Sequence, residues 1–366
     1  MSEQLENLNR LPLREDLRGL SPYGAPQLDV PVLLNVNENT HGLPAHVREA
    51  IVTEIQAAVS GLNRYPDREF TQLRQNLAKY LGHGLTADNI WAGNGSNEVL
   101  QQILQAFGGP GRTAMSFPPT YSMYPLLASG TGTAYVTGTR EADFSLDPAS
   151  LAEQIRAQAP TVIILCTPNN PTGTALGLDV IEAAYEAGAA SNAIVVVDEA
   201  YAEFSHTETP SALQLLPGRE RLIVSRTMSK AFALAGARIG YLAAAPQIAD
   251  ALRLVRLPYH LSAITQATAN AALTHADALL ANVEDIKGQR DRIVRELREL
   301  GLDPAPSDAN FVLFGGLADP RGVWEGLLEA GILVRDIGIK GHLRVTAGTE
   351  AETTAFLTRL RELLAA

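Results

Sequence analysis

Lys230 carries the first chemical signal in the sequence. It closes the run Ser225-Arg226-Thr227-Met228-Ser229-Lys230, with one hydroxyl three residues before it, another immediately before it, and Arg238 eight residues after it. The apolar run Leu222-Ile223-Val224 reads as a buried strand leading into these residues, and Ala233-Leu234-Ala235-Gly236-Ala237 reads as a small-residue loop leading away. A lysine at a strand end, with hydroxyls beside it and an arginine one short loop away, suits a Schiff base to a phosphorylated aldehyde. Thr227, Ser229 and Arg238 would hold the phosphate, while desolvation and cationic neighbours would favour the neutral amine. A lone Ser-Lys pair is an ordinary surface turn, so the assignment depends on what else the chain brings to the same place.

Two more apolar runs end in polar groups. Val162-Ile163-Ile164-Leu165-Cys166 runs into Thr167-Pro168-Asn169-Asn170-Pro171-Thr172-Gly173, a sharp turn that projects the Asn170 amide at the strand end. Ala193-Ile194-Val195-Val196-Val197 ends in Asp198-Glu199-Ala200-Tyr201. A carboxylate there is costly unless a cation meets it. Farther upstream, Ile90-Trp91-Ala92 enters Gly93-Asn94-Gly95-Ser96-Asn97, and Val99, Leu100, Ile103, Leu104 and Phe107 then recur at helical spacing. Backbone N–H groups at such a helix start bind anions, with the dipole adding up to ~2 kcal/mol. Gly93 and Gly95 allow close approach and Ser96 adds a hydroxyl, although the lysine of a P-loop and the GxGxxG spacing are both missing. Tyr121 and Tyr124 could share one helix face, where one could stack on a flat ring or both could be core. Tyr23, between Pro22 and Pro26, is a pocket wall or a packing anchor.

These positions need a scaffold, and the order of elements supplies one. Continuous apolar strands alternating with helices read as a mainly parallel sheet covered on both faces. Ligands of such sheets lie outside the carboxyl ends of the strands, where Asn170, Asp198 and Lys230 all fall. A chain of 366 residues suggests two domains. The expectation is an irregular, proline-broken arm over 1–34, a large α/β domain over 35–250 and a small α+β domain over 251–366. In the last, residues 265–300 read as strongly helical, and Arg335 and Arg344 lie on neighbouring strands.

Composition narrows the function. Net charge is −11 with no basic block, which argues against nucleic acid and anionic membranes. One cysteine, Cys166, excludes an intrachain disulfide and a cysteine cluster, and the seven histidines are scattered with no HExxH pairing, so no metal is expected. The sequence contains neither an apolar run of about 18 residues nor a signal pattern, and a cytoplasmic enzyme fits.

Ser96 after Gly95, Asn169-Asn170-Pro171-Thr172-Gly173, Asp198-Glu199-Ala200-Tyr201, Thr227-Met228-Ser229-Lys230 with Arg238, and Arg344 in His342-Leu343-Arg344-Val345-Thr346 together resemble the fold-type I pyridoxal-phosphate aminotransferases. Order and spacing match along nearly the whole chain. Within that superfamily the chain is most similar to the histidinol-phosphate aminotransferases. This closer likeness is carried by the arm Leu17-Arg18-Gly19-Leu20-Ser21-Pro22-Tyr23, by Asn35-Val36-Asn37-Glu38-Asn39, by Asn63-Arg64-Tyr65-Pro66-Asp67 and by Val334-Arg335-Asp336. Asn97 and Thr40 depart from the pattern, since relatives often have Asp and Pro there.

The resemblance implies roles residue by residue. Lys230 binds pyridoxal 5′-phosphate and shuttles the proton, Asp198 pairs with the pyridine nitrogen, and Asn170 and Tyr201 bond the ring's phenolic oxygen. Tyr121 stacks on the ring. Gly95, Ser96, Asn97, Thr227, Ser229 and Arg238 hold the phosphate, joined by Tyr65 from the second subunit of a homodimer. Arg344 takes the α-carboxylate of glutamate, and Tyr23, Asn37, Tyr259 and Arg335 complete the substrate side with Tyr121 and Asn170. The implied reaction is transamination between histidinol phosphate and 2-oxoglutarate in histidine biosynthesis. An aromatic amino-acid aminotransferase and a threonine-phosphate decarboxylase of the same fold are the alternatives. A non-catalytic sensing domain would need a basic DNA-binding segment that the sequence lacks.

Overall fold

The structure, a computed structural model, describes residues 10–19, 24 and 26–365. Tyr23 and the stretch Leu20-Ser21-Pro22 of the arm lie outside the described residues. The centre is a seven-stranded sheet built from β2 (Ile90–Gly93), β3 (Thr113–Ser116), β4 (Ala134–Thr137), β5 (Val162–Cys166), β6 (Ile194–Asp198), β7 (Leu222–Thr227) and β8 (Gly240–Ala244). Their order is β2-β8-β7-β6-β5-β3-β4, and only β8 runs against the rest. The mainly parallel sheet expected from the apolar runs is present. β5 and β6 are buried at every position, as strands covered on both faces must be. The edge strand β4 is half exposed.

Register places the chemistry. Cys166 of β5 lies opposite Asp198 of β6, which lies opposite Ser225 of β7. Alternation then puts Thr227 on the same face as Ser225, two residues nearer the Lys230 loop. Helices Ser96–Phe107 and Leu178–Ala187 bury apolar stripes such as Val99, Leu100, Ile103 and Leu104 in the shared core.

A second, antiparallel sheet is formed by β9 (Asp303–Pro304), β10 (Phe311–Gly315) and β12 (Leu343–Thr346), and β1 (Val32–Leu33) pairs in parallel with β11 (Ile332–Leu333). Residues 34–39 then join the two sheets. Thr346 N donates to the Leu34 carbonyl, Asn310 Nδ2 to the Asn37 carbonyl, and Asn39 Nδ2 to the Ala231 carbonyl beside Lys230. Asn37 holds a left-handed backbone at φ 57° and is buried. Thr40, one of the departing positions, donates its hydroxyl to Glu352 at 2.5 Å.

Three local readings change. The helical region expected over 265–300 is three helices, Ala263–Thr274, Ala276–Leu280 and Val283–Glu299, the first ending at His275. The strand expected through Arg335 ends at Leu333, and Arg335 and Arg344 instead form an isolated antiparallel bridge, each N–H donating to the other's carbonyl at 2.9 Å. Tyr121 precedes its helix, which begins at Met123, so the two tyrosines meet edge to face rather than along one helix face.

Candidate active site

The carboxyl ends of β5, β6 and β7 open into a cavity of about 840 Å³ that reaches residues of the second sheet. Lys230, Asp198, Asn170 and Tyr201 line it from the strand ends. Ser96, Asn97, Thr227, Ser229 and Arg238 line one side, and Tyr121, Asn37, Arg335 and Arg344 complete the wall. Thirteen of the expected residues therefore share one space.

Lys230 brings a buried amine to this cavity. Burial, then the neighbouring Arg344, lower the pKa of its amine from 10.5 to about 8. Its Nζ donates to the Val36 carbonyl at 3.0 Å. A neutral amine is thus accessible near physiological pH, which a nucleophile or general base requires.

Asp198 departs from the expectation of a cationic partner. Its carboxylate accepts from two hydroxyls instead, Tyr124 Oη at 2.8 Å and Ser225 Oγ at 3.0 Å. Burial raises its pKa and the two hydroxyl donors oppose that rise. The residue is 2% exposed and faces the cavity, so a cationic ring nitrogen arriving there would meet an uncompensated carboxylate. In the sequence, Tyr124 reads as a ring wall or a core residue and Ser225 carries no role; neither reading points to Asp198. Strand alternation from Thr227 puts Ser225 on the cofactor face of β7, whereas nothing along the chain reports the Tyr124–Asp198 contact.

Asn170 and Tyr201 work as a pair. The Tyr201 hydroxyl oxygen accepts from Asn37 Nδ2 at 3.0 Å and from Asn170 Nδ2 at 3.4 Å, and its own proton can serve a partner in the cavity. Burial raises the Tyr201 pKa, so that proton stays on. The Asn170 side-chain oxygen Oδ1 accepts from Arg344 at 2.6 Å, and Arg344 also donates to the Asn35 backbone carbonyl at 2.8 Å and lies over the Phe311 ring. Arg344 is thereby held rigid with its guanidinium on the cavity wall.

The anion cradle is built by close backbone approach. Gly95 sits before the helix Ser96–Phe107 at φ 84°, and a Cβ there would overlap the Arg238 guanidinium. Gly240 on β8 backs the turn, and a Cβ there would overlap the Ser96 nitrogen. Glu98 steadies the turn by accepting from the Asn94 side chain at 2.9 Å and from the Asn94 backbone N–H. Thr227 Oγ1 donates to the Ile239 carbonyl at 3.1 Å and can accept from Ser229 Oγ at 3.0 Å, which fixes both hydroxyls on the cavity wall that Arg238 also lines. A helix start, two hydroxyls and a guanidinium at one point suit a phosphate. With Lys230 and Asp198, the donor set fits a phosphorylated pyridine aldehyde. Tyr121 lines the cavity, and its hydroxyl donates to Asn97 Oδ1 at 3.2 Å.

Three of the described expected residues are not in the cavity wall: Gly95, which lies behind Arg238, and Tyr65 and Tyr259. Tyr65 is 79% exposed and stacks on Tyr259, with ring centroids 4.4 Å apart. Gln27, Glu38 and Asp336, to which the sequence reading assigns no role, also line the cavity. Cys166 is buried, its pKa pushed up to about 12 by burial, consistent with an inert thiol.

A sequence model for "Aminotransferase class I and II" matches residues 30–360. The chain is 73% identical over 364 residues to a histidinol-phosphate aminotransferase of Paenarthrobacter aurescens, covering 100% of this chain and 98% of that one. It is 59% identical to one of Frankia casuarinae, covering 97% and 90%. A crystal structure of histidinol-phosphate aminotransferase from Sinorhizobium meliloti in complex with pyridoxal-5′-phosphate superposes with a TM-score of 0.86 at 27% identity, covering 97% of this chain and 98% of that chain. The chain belongs to the class I and II aminotransferases.

Proposed function

We propose that this chain is a pyridoxal-phosphate-dependent aminotransferase that moves an amino group between histidinol phosphate and 2-oxoglutarate, giving imidazole-acetol phosphate and glutamate in histidine biosynthesis. The observation that carries the reaction class is the meeting of a buried lysine amine, a buried carboxylate and two arginines in one cavity. The choice of substrate is supported by the 73% identity to a relative of that name.

Lys230 would hold the cofactor, with Ser96, Asn97, Thr227, Ser229 and Arg238 around its phosphate and Gly95 leaving room for the arginine. When bound, pyridoxal 5′-phosphate supplies an electron-withdrawing ring that stabilises the charge left on the substrate Cα. Asp198 would favour a proton on the ring nitrogen, and Asn170 and Tyr201 would be the donors for the phenolic oxygen. The Lys230 amine, neutral in part at physiological pH, would take the proton from the substrate Cα. Arg344 and Arg335 grip the anionic ends of the two substrates, because paired N–H donors serve carboxylate and phosphate alike. Tyr121 would orient the ring and Asn37 would line the substrate side, while the roles of Tyr23 and Tyr259 there rest on the resemblance alone.

A homodimer goes with this reading. Leu62, Tyr65, Leu254 and Leu257 are 53%, 79%, 86% and 74% exposed, and the Tyr65–Tyr259 stack brings their two chain segments together. Such a patch suits burial against a second copy, from which Tyr65 would reach the other phosphate. The division near residue 250, with an arm before 35, is supported by the change from a parallel to an antiparallel sheet. The cytoplasm is the compartment that suits these substrates, and among the described residues no helix is long and apolar enough to cross a membrane.

Spectra of the cofactor-loaded protein test the proposal. Histidinol phosphate should exhaust the aldehyde absorbance in one turnover, and 2-oxoglutarate should restore it. Faster conversion by phenylalanine would make it an aromatic aminotransferase. Release of CO₂ from threonine phosphate would make it a decarboxylase.

A further inference from the structure

We infer that Tyr124, acting with Ser225, is a positioning residue that holds the Asp198 carboxylate charged and aimed at the cofactor's ring nitrogen; this rests on the function proposed above. Each carboxylate oxygen of Asp198 has its own donor. Tyr124 Oη donates to Oδ2 at 2.8 Å and Ser225 Oγ to Oδ1 at 3.0 Å. The donors come from different elements, the first turn of the helix Met123–Gly130 and the neighbouring strand β7. Rotation of the carboxyl about its bond would break both hydrogen bonds. Tyr124 is itself fully buried and packs edge to face on Tyr121, 5.5 Å between centroids. The ring wall at Tyr121 and the carboxylate at Asp198 are thereby set by one side chain.

The donor type matters as much as its place. An arginine or lysine would neutralise Asp198, whereas a hydroxyl orients it and leaves the negative charge for a pyridinium. Burial pushes the Asp198 carboxyl toward its neutral form, and the two hydroxyls oppose this. Burial, with Asp198 beside it, raises the Tyr124 phenol well above its usual range, so it remains a donor. A neutral Asp198 would no longer favour a protonated ring.

The test loads Tyr124→Phe, Ser225→Ala and Asp198→Asn with pyridoxal phosphate labelled with ¹⁵N in the ring. Cofactor affinity, the ¹⁵N shift and the melting of the cofactor-free proteins are measured. Tyr124→Phe keeps the ring in its packing and should weaken cofactor binding about tenfold while moving the ¹⁵N shift toward the unprotonated value. Ser225→Ala should move both in the same direction, and it decides the matter if Tyr124→Phe fails to fold. A native shift and affinity in these variants, with both changed in Asp198→Asn, would reduce Tyr124 and Ser225 to packing while leaving the proposed function intact. No change in Asp198→Asn would remove Asp198 from the ring nitrogen and the inference with it.

Discussion

The Lys230 amine is held in conflict with its own charge. The folded chain lowers its pKa from 10.5 to about 8, chiefly by burial. Below about pH 8 the amine is protonated folded or unfolded, and the folded state carries the whole penalty of a buried ammonium. Between about 8 and 10.5 the unfolded chain binds the extra proton, so folding stability rises with pH through that window. Lys230→Met in the cofactor-free protein should therefore be more stable than the parent at pH 7, by up to about 3 kcal/mol. The gap should close as pH rises toward 10. Urea unfolding of both proteins at several pH values measures it, and a gap independent of pH would mean the amine is not strained. The two arginines make a second contrast. Arg344 is 7% exposed and locked by Asn170 and Asn35, whereas Arg335 is tied to it through the backbone bridge. Arg344→Leu should damage every substrate. Arg335→Leu should lower kcat/KM for histidinol phosphate about ten- to a hundredfold, the worth of one charge-assisted contact, and phenylalanine much less. Single-turnover spectra of each half-reaction separate the two, and equal losses would remove phosphate reading from Arg335.

At the scale of elements, the site is a row of strand ends closed by one turn. That turn exists because β8 passes directly beneath it without a side chain at Gly240. The atoms a Cβ would strike are backbone, which cannot swing aside as the Arg238 side chain could for Gly95. Gly240→Ala should therefore shift the whole turn, lowering stability by about 1–3 kcal/mol and weakening cofactor binding together. Denaturation and cofactor titration check this, and an unchanged affinity would mean the turn does not seat the phosphate. The strands themselves were legible, because β5 is an unbroken apolar run and β6 and β7 open on Ile194-Val195-Val196-Val197 and Leu222-Ile223-Val224. The helix Thr71–Leu81 went unread although Leu73, Leu77 and Leu81 repeat at helical spacing. The breaks at His275 and Asn282 were invisible because neither Gly nor Pro marks them. Tyr124 and Gly240 share another reason. Their roles come from contacts across 74 residues to Asp198 and across the sheet to Ser96, and periodicity along the chain does not report such pairs.

The whole molecule poses the question of what Tyr65 is for. Its ring is 79% exposed, stacks on Tyr259 and lies outside the cavity of its own chain. A stacked aromatic pair beside exposed Leu254 and Leu257 has more to gain from burial against another surface than from water. If the second copy supplies that surface by two-fold symmetry, each Tyr65 enters the other subunit's cavity. Hybrid dimers decide the point. Lys230→Ala subunits should be inactive and Tyr65→Phe subunits clearly impaired. In a hybrid of the two, one cavity takes its lysine from the Tyr65→Phe chain and its tyrosine from the Lys230→Ala chain, so it is whole. The other cavity lacks both. Mixing should then restore activity above that of either parent, in proportion to the hybrids formed. If Tyr65 acted within its own chain, every cavity in the hybrid would keep one defect and mixing would restore nothing. Mass spectrometry of the mixed sample confirms subunit exchange, so an absence of recovery with hybrids present would place Tyr65 outside the shared site and leave the Tyr259 stack as its only function.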